Sequence, residues 1–292
     1  MTKQSRAELY LLLLGFIWAS TFVIFKFLLN YLSPFLFLVL RYFIATIIFY
    51  FLFRNQLQNF SKTSLKKGIS LGILVGIGIV IQTIGLTFTT ASKAAFITGM
   101  MVVFTPFAQI FIIKKKPNIA NVIGIAVVIL GLYFLTYPIE TNINKGDLMV
   151  LCGSILFGIY IVYLDVYSRD ENIYKISFLQ MITTGVIALF ALPTESIKFI
   201  FNFDMFTMLA YMIIFATIIT TYVQTNYQKD TTPTKAVLIF SVEPVIASIL
   251  AFYFLSERIG TMGVIGGGLI ILGILISEFI GIFFKKLNHK NI

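Results

Sequence analysis

The sequence predicts an all-α integral membrane protein, with ten transmembrane helices in a 5+5 inverted-topology repeat and both termini cytoplasmic. Three observations carry that expectation. Apolar residues make up 59% of the 292 and charged residues only 12%, against roughly half and a quarter in a soluble domain. The charges gather in short clusters between apolar stretches of roughly 20 residues, the length that crosses a bilayer as a helix. The chain also repeats itself: an offset of 142 residues sets "KAAFITGMMVV" (93–103) on "KAVLIFSVEPV" (235–245).

Span one (8–29) is longer than a signal-peptide core and no small-x-small cleavage site follows it, so it is expected to remain. Span two (35–53) starts after Pro34. Span three (68–88) carries Gly68, Gly72 and Gly76 at four-residue spacing, with Gly78 and Gly85 beyond; small faces let helix backbones approach. Span four (94–113) contains Pro106 and ends at three lysines. Span five (119–137) ends before Pro138. Span six (147–166) has Asp165 near its end, placed to pair with Arg169. Span seven (174–192) stops at Pro193. Span eight (205–226) grows polar toward its end, span nine (236–255) contains Glu243-Pro244, and span ten (262–284) holds Gly266, Gly267, Gly268 and Gly273. The longest connectors, 54–67 and 193–204, are too short for a soluble domain, which excludes an enzyme domain hung on an anchor. With both termini inside, sixteen Lys and Arg fall on the inner side. Four (Lys93, Lys145, Lys198 and Arg258) fall on the outer side, and Lys26 and Arg41 lie in or near spans. The net charge of +10 then reads as a basic cytoplasmic face near anionic lipid rather than a nucleic-acid surface.

The repeat continues without a gap from "NVIGIAVVILG" (121–131) to "GVIGGGLIILG" (263–273). Nearer the start of each half the offset is 139, pairing Glu8-Leu9 with Asp147-Leu148 and Trp18 with Phe157. The halves are 1–140 and 141–292. Five spans is an odd number, so the second copy sits upside down. The charges agree: "KKK" after span four lies inside, and its counterpart "SER" after span nine lies outside. Inverted repeats are a typical transporter architecture with a site near the midplane.

Little else competes. Cys152 is the only cysteine, expected as a small packing residue, and His289 is the only histidine, in the basic tail. No His/Cys/carboxylate cluster suggests a metal and no nucleophile neighbours a histidine base, so no cofactor and no enzyme activity are expected. No phosphate-binding loop of the Walker type is present.

The residues of "GFIWASTFVIFK" (15–26), "LRYFIAT" (40–46), "TTASKAAFITGMMVVFTPFAQ" (89–109), "TTPTKAVLIFSVEPVIASILAFYFLSERI" (231–259) and "GVIGGGLIILGILI" (263–276) resemble the drug/metabolite transporter superfamily, in particular EamA-type permeases. The resemblance covers essentially the whole chain and is most specific in span nine. It implies a multi-pass inner-membrane carrier whose cavity is lined mainly by spans one, three, four, six, eight and nine. It names no substrate.

Polar residues inside spans are functional candidates because each costs free energy to insert. Candidates for the cavity are Trp18, Thr21, Gln82, Thr98, Gln109, Tyr160, Tyr163, Tyr222, Gln224, Asn226 and Glu243. Glu243 is too short to reach the interface and is expected to face the bundle interior. Three roles stay open for it: binding an amino group of a substrate, carrying a coupling proton, or bracing helices. Arg41, Pro106, Glu243 and Pro244 are candidates for gating or coupling. Pro106 aligns with Ser248 and Pro244 with Val102, so the prolines are expected to break their mate helices about one turn apart. Lys26 and Arg41 are expected near the outer ends of their spans as interface anchors; Arg41 is also a candidate for the outer gate or for holding a substrate carboxylate.

The expected function is secondary transport of a small polar organic metabolite, an amino acid or related compound, outward through a central cavity. Import or exchange of a larger charged metabolite such as a nucleotide-derived cofactor is the alternative within the class, and a channel-like facilitator is the alternative outside it. The expected partners are the lipid bilayer, a small-molecule substrate and, as a possible homodimer, a second copy of the chain, with no nucleic acid.

Overall fold

The computed structural model describes residues 2–135 and 143–290, with side chains to Ser277. The boundary between the halves, the end of span five at Tyr137 and Pro138 lie outside the described residues, as do the side chains of Lys285, Lys286, His289 and Lys290. The chain is helical nearly throughout: α1 (Lys3–Leu28), α2 (Pro34–Phe53), α3 (Lys62–Phe88), α4 (Ala91–Gly99), α5 (Met101–Ile113), α6 (Ile119–Leu135), α7 (Lys145–Asp170), α8 (Ile173–Ala191), α9 (Phe203–Ile213), α10 (Thr220–Tyr227), α11 (Pro233–Phe240), α12 (Val242–Leu255) and α13 (Thr261–Lys290). Helices begin where polar side chains cap orphan N–H groups: Thr2, Ser61, Thr90, Asn144, Asn172, Asn202 and Thr232 each accept from a backbone N–H of the first turn. Taken as continuous rods, eight helices are long and apolar enough to cross a membrane, and 119–135 and 261–277 are shorter apolar helices. These are the ten crossings.

Three crossings are interrupted. Span four kinks at Met100 (φ −61°, ψ −12°), between α4 and α5. Span nine kinks at Ser241 (φ −63°, ψ −7°), between α11 and α12. The 142-residue offset sets Gly99 on Ser241, so the kinks are repeat-equivalent to within one residue, although the prolines are not. This corrects the expectation that the prolines would offset the two breaks by a turn. Pro244 has no N–H for the Phe240 carbonyl, and the helix bends at the next residue. Pro106 lies six residues beyond its kink. Beside the bend at Met100, a Cβ on Gly99 would stand 3.3 Å from the Pro244 ring, so the two bent helices pass close to each other near their kinks. Span eight runs from α9 through a π-helical stretch, Ile214–Ile219, into α10.

The halves run in opposite directions. Lys26, at the end of α1, donates to the Thr89 carbonyl at the end of α3 at 2.5 Å. The α7 helix starts on that same face, where the Thr89 hydroxyl donates to Asp147 at 2.8 Å. Spans one and six, the first of each half, are therefore antiparallel. Glycines seat the helices on one another. Gly68, Gly72 and Gly76 of α3 leave room for Leu179, Thr183 and Ile187 of α8. In α6 and α13, Gly124 faces the Gly273 carbonyl and Gly131 the Gly266 carbonyl. Gly124 and Gly131 are the repeat mates of Gly266 and Gly273, so this seam is self-complementary in the manner of a two-fold interface. Cys152 is exposed rather than packed, on the outer side of α7 where lipid would lie.

Candidate functional site

Eight of the ten spans surround a central cavity of about 150 Å³. Among the described residues only α6 and α13 give nothing to its wall, and they pack on each other. Spans two and seven contribute Arg41, Tyr42, Gln180 and Thr184, which widens the lining expected from spans one, three, four, six, eight and nine. The walls obey the repeat. Trp18 and Phe157, Thr21 and Tyr160, Phe22 and Ile161, and Arg41 and Gln180 are mates at offset 139; Thr98 and Phe240, and Met101 and Glu243, are mates at offset 142. All of them line the cavity. The shape is thus near-symmetric while the chemistry is not. The first half contributes a guanidinium where the second has an amide, and the second contributes a carboxylate where the first has a thioether.

Arg41 is 8% exposed, well inside the bundle rather than at an interface, which corrects the anchoring expectation. Burying a guanidinium requires acceptors, and span eight supplies them. Arg41 Nε donates to Thr217 Oγ1 at 2.6 Å and Nη2 donates to the Ala216 carbonyl at 2.8 Å. Both acceptors lie in the π-helical stretch, where Thr217 Oγ1 itself donates to the Met212 carbonyl five residues back at 2.8 Å. The wider winding there re-aims acceptors that a regular helix would keep for itself. The guanidinium also lies over the Tyr42 ring, 5.2 Å from its centroid. Among the described residues Nη1 takes no hydrogen bond, and the side chain borders the cavity.

Glu243 sits just after the kink of span nine, 5% exposed. Its carboxylate lines the cavity and has no hydrogen-bond or ion-pair partner among the described residues. Trp18 stands nearby with its ring edge-on to Phe240, centroids 5.0 Å apart. Neutral polar groups fill in the rest. Gln82 Nε2 donates to Thr98 Oγ1 at 2.7 Å, and the Tyr160 hydroxyl donates to Gln180 Oε1 at 2.7 Å. Gln224 Nε2 donates to Gln228 Oε1 at 2.9 Å.

The structure brings together Trp18, Thr21, Arg41, Gln82, Thr98, Tyr160, Gln224 and Glu243 on the cavity wall. It places four other nominated residues elsewhere. Gln109 Oε1 accepts from Thr234 N and Oγ1 at 3.2 and 2.8 Å, satisfying the start of α11. Tyr163 packs on Tyr167. Tyr222 stacks on Phe53 and hydrogen-bonds the Tyr174 hydroxyl. Asn226 is half-buried near the end of α10. Pro106 lies off the cavity, and Pro244 lies at the crossing with Gly99. Gln180, Thr184 and Thr220 join the wall unannounced; their signal is a polar residue inside an apolar run, the same signal that nominates Gln82.

The model of the EamA-like transporter family matches residues 5–137 and 144–279. An uncharacterized transporter of Archaeoglobus fulgidus is 32% identical over 275 residues, which is 94% of this chain and 86% of that one. An uncharacterized transporter of Clostridium kluyveri is 30% identical over 217 residues, 70% of each chain. The uncharacterized transporter YyaM of Bacillus subtilis is 25% identical over 97% of each chain. A solved structure described as "Crystal structure of protein" superposes with a TM-score of 0.75 at 16% identity, covering 94% of this chain and 97% of that one, a likeness of fold.

Proposed function

The chain belongs to the EamA-like transporter family, and from that premise we propose that it is a secondary carrier. It moves a small zwitterionic metabolite, an amino acid or close relative, outward across a cell's inner membrane by alternating access. One observation carries the reading: the same cavity holds a guanidinium from one half and, from the other, a carboxylate without a partner among the described residues. A substrate carboxylate would meet Arg41 through a charge-assisted hydrogen bond, and a substrate ammonium would meet Glu243. The wall between them is largely aromatic and aliphatic, suited to a short apolar side chain. Gln82, Thr98 and Tyr160 supply neutral hydrogen bonds. Size argues against a nucleotide-derived cofactor, because a cavity near 150 Å³ holds a body about as large as benzene. Rocking of the two inverted halves about this cavity would expose it to one side and then the other.

Counterflow in proteoliposomes tests the reading. Vesicles loaded with unlabelled neutral amino acids should accumulate the labelled compound with saturable kinetics, and nucleotides should not compete. Glu243→Gln should lower uptake by about tenfold or more, the drop expected for one charge-assisted hydrogen bond, while the protein still elutes as a folded species. Flux linear in concentration would indicate a pore, and competition by nucleotides alone would overturn the substrate class.

A further inference from the structure

We infer that the chain carries two repeat-related latches, one at each end of the cavity, that exchange tight and loose states as the site turns from one face to the other. The inference rests on the alternating-access reading above. Spans four and nine begin with the same pattern, T-T-x-x-K, at 89–93 and 231–235. In each, the second threonine caps the helix: Thr90 Oγ1 accepts from Lys93 N and Thr232 Oγ1 accepts from Lys235 N, both at 3.2 Å. The two lysines therefore leave their helices at the same register position. The first threonine and the lysine then address one carboxylate from the opposite half. Those carboxylates, Asp147 and Glu8, are themselves repeat mates at offset 139.

The two sets differ in how tightly they are drawn. Thr89 Oγ1 donates to Asp147 Oδ1 at 2.8 Å, and Lys93 Nζ lies 2.8 Å from Asp147 Oδ2. On the face where the chain begins, Thr231 Oγ1 is 3.3 Å from Glu8 Oε1, and Lys235 Nζ is 3.9 Å from it. There Glu8 Oε1 also accepts from Gln4 Nε2 at 2.8 Å. The side chains of both ion pairs are mostly buried, so their attraction changes more steeply with distance than it would in water.

Position makes these pairings latches. The Asp147 set ties span four to span six, and the Glu8 set ties span nine to span one. All four spans line the cavity, and each tie joins one half to the other. Widening the mouth on either face separates the spans of that tie. In an inverted repeat, the second state gives each half the conformation its partner has in the first. The tight geometry then passes to Glu8 and the loose one to Asp147, so a latch that opens on one face is matched by a latch that closes on the other.

Cysteine accessibility tests this. In a Cys152→Ser background, a Thr221→Cys reporter on the cavity wall is labelled with a membrane-impermeant maleimide in right-side-out and in inside-out vesicles. Asp147→Asn should raise labelling from the Asp147 face about tenfold or more, the population shift expected when one charge-assisted hydrogen bond is removed from a single state, and lower it from the other face. Glu8→Gln should do the reverse. The double exchange Lys93→Asp with Asp147→Lys should return the ratio toward that of the parent. Variants that shift labelling in the same direction, or leave it unmoved, would overturn the latches alone. A parent protein labelled from only one vesicle type would overturn alternating access itself.

Discussion

Arg41 illustrates what a linear reading can and cannot place. Its charge and its distance from the start of span two argue for an interface, because cations usually sit there. The counter-argument lies in span eight, whose π-helical stretch offers Thr217 Oγ1 and the Ala216 carbonyl, and nothing in "IFATII" announces that winding. Glu243, Gln82 and Tyr160 are legible because a polar group in an apolar run needs an interior. Gln109 and Asn226 carry the same signal but lie near span ends, where Gln109 serves the neighbouring helix start. Outside the spans, Glu171 gives a pH test. The Ser64 hydroxyl donates to it at 2.5 Å and Lys67 lies 3.2 Å away. These partners hold its carboxyl below the usual glutamate range, against a smaller opposing effect of partial burial. A lowered folded-state value means stability that is fully present above the unfolded value, roughly 4.3, and lost as pH falls through the folded one. Melting in detergent from about pH 6 to about pH 3 should therefore show Glu171→Gln less stable than the parent at the upper end, with the gap closing toward the lower end. A gap that stays constant would remove Glu171 from the acid response.

At the scale of helices, the ten apolar runs are readable from length and charge alone, and the glycine faces from their spacing. The kinks are readable only in part. Pro244 bends its helix where the missing N–H dictates, but the matching bend at Met100 has no proline within one turn after it and lies where Gly99 packs against Pro244. Spacing also does not tell which glycines face a backbone. Gly266 meets the Leu135 backbone and the Gly131 carbonyl, whereas Gly268 has nothing within 4 Å of an added Cβ. Gly266→Ala should accordingly cost roughly 1–3 kcal/mol by forcing α13 away from α6. Gly268→Ala, two residues on, should change stability by no more than about 0.5 kcal/mol. Equal losses in a denaturation series would mean that the seam does not depend on close backbone approach.

At the scale of the whole molecule, the inverted duplication is visible as an offset between the halves, and the basic residues give it a direction. Sixteen against four argues for cytoplasmic termini. In intact cells and a Cys152→Ser background, an impermeant maleimide should label Ser196→Cys, in the exposed link after α8, and spare Ser5→Cys near the chain start. The opposite pattern would reverse the assignment of faces. A shared hollow follows from the repeat, but its unequal chemistry needs the fold, because Arg41 and Glu243 lie in different halves and at different offsets from their mates. That inequality has a consequence for the passenger. A hollow built from two identical copies would look the same from either end, and a solute could settle in it head first or tail first. With Arg41 answered by Gln180 and Glu243 by Met101, a zwitterion of the kind proposed above would satisfy both charges in only one heading, and would keep that orientation from entry to release.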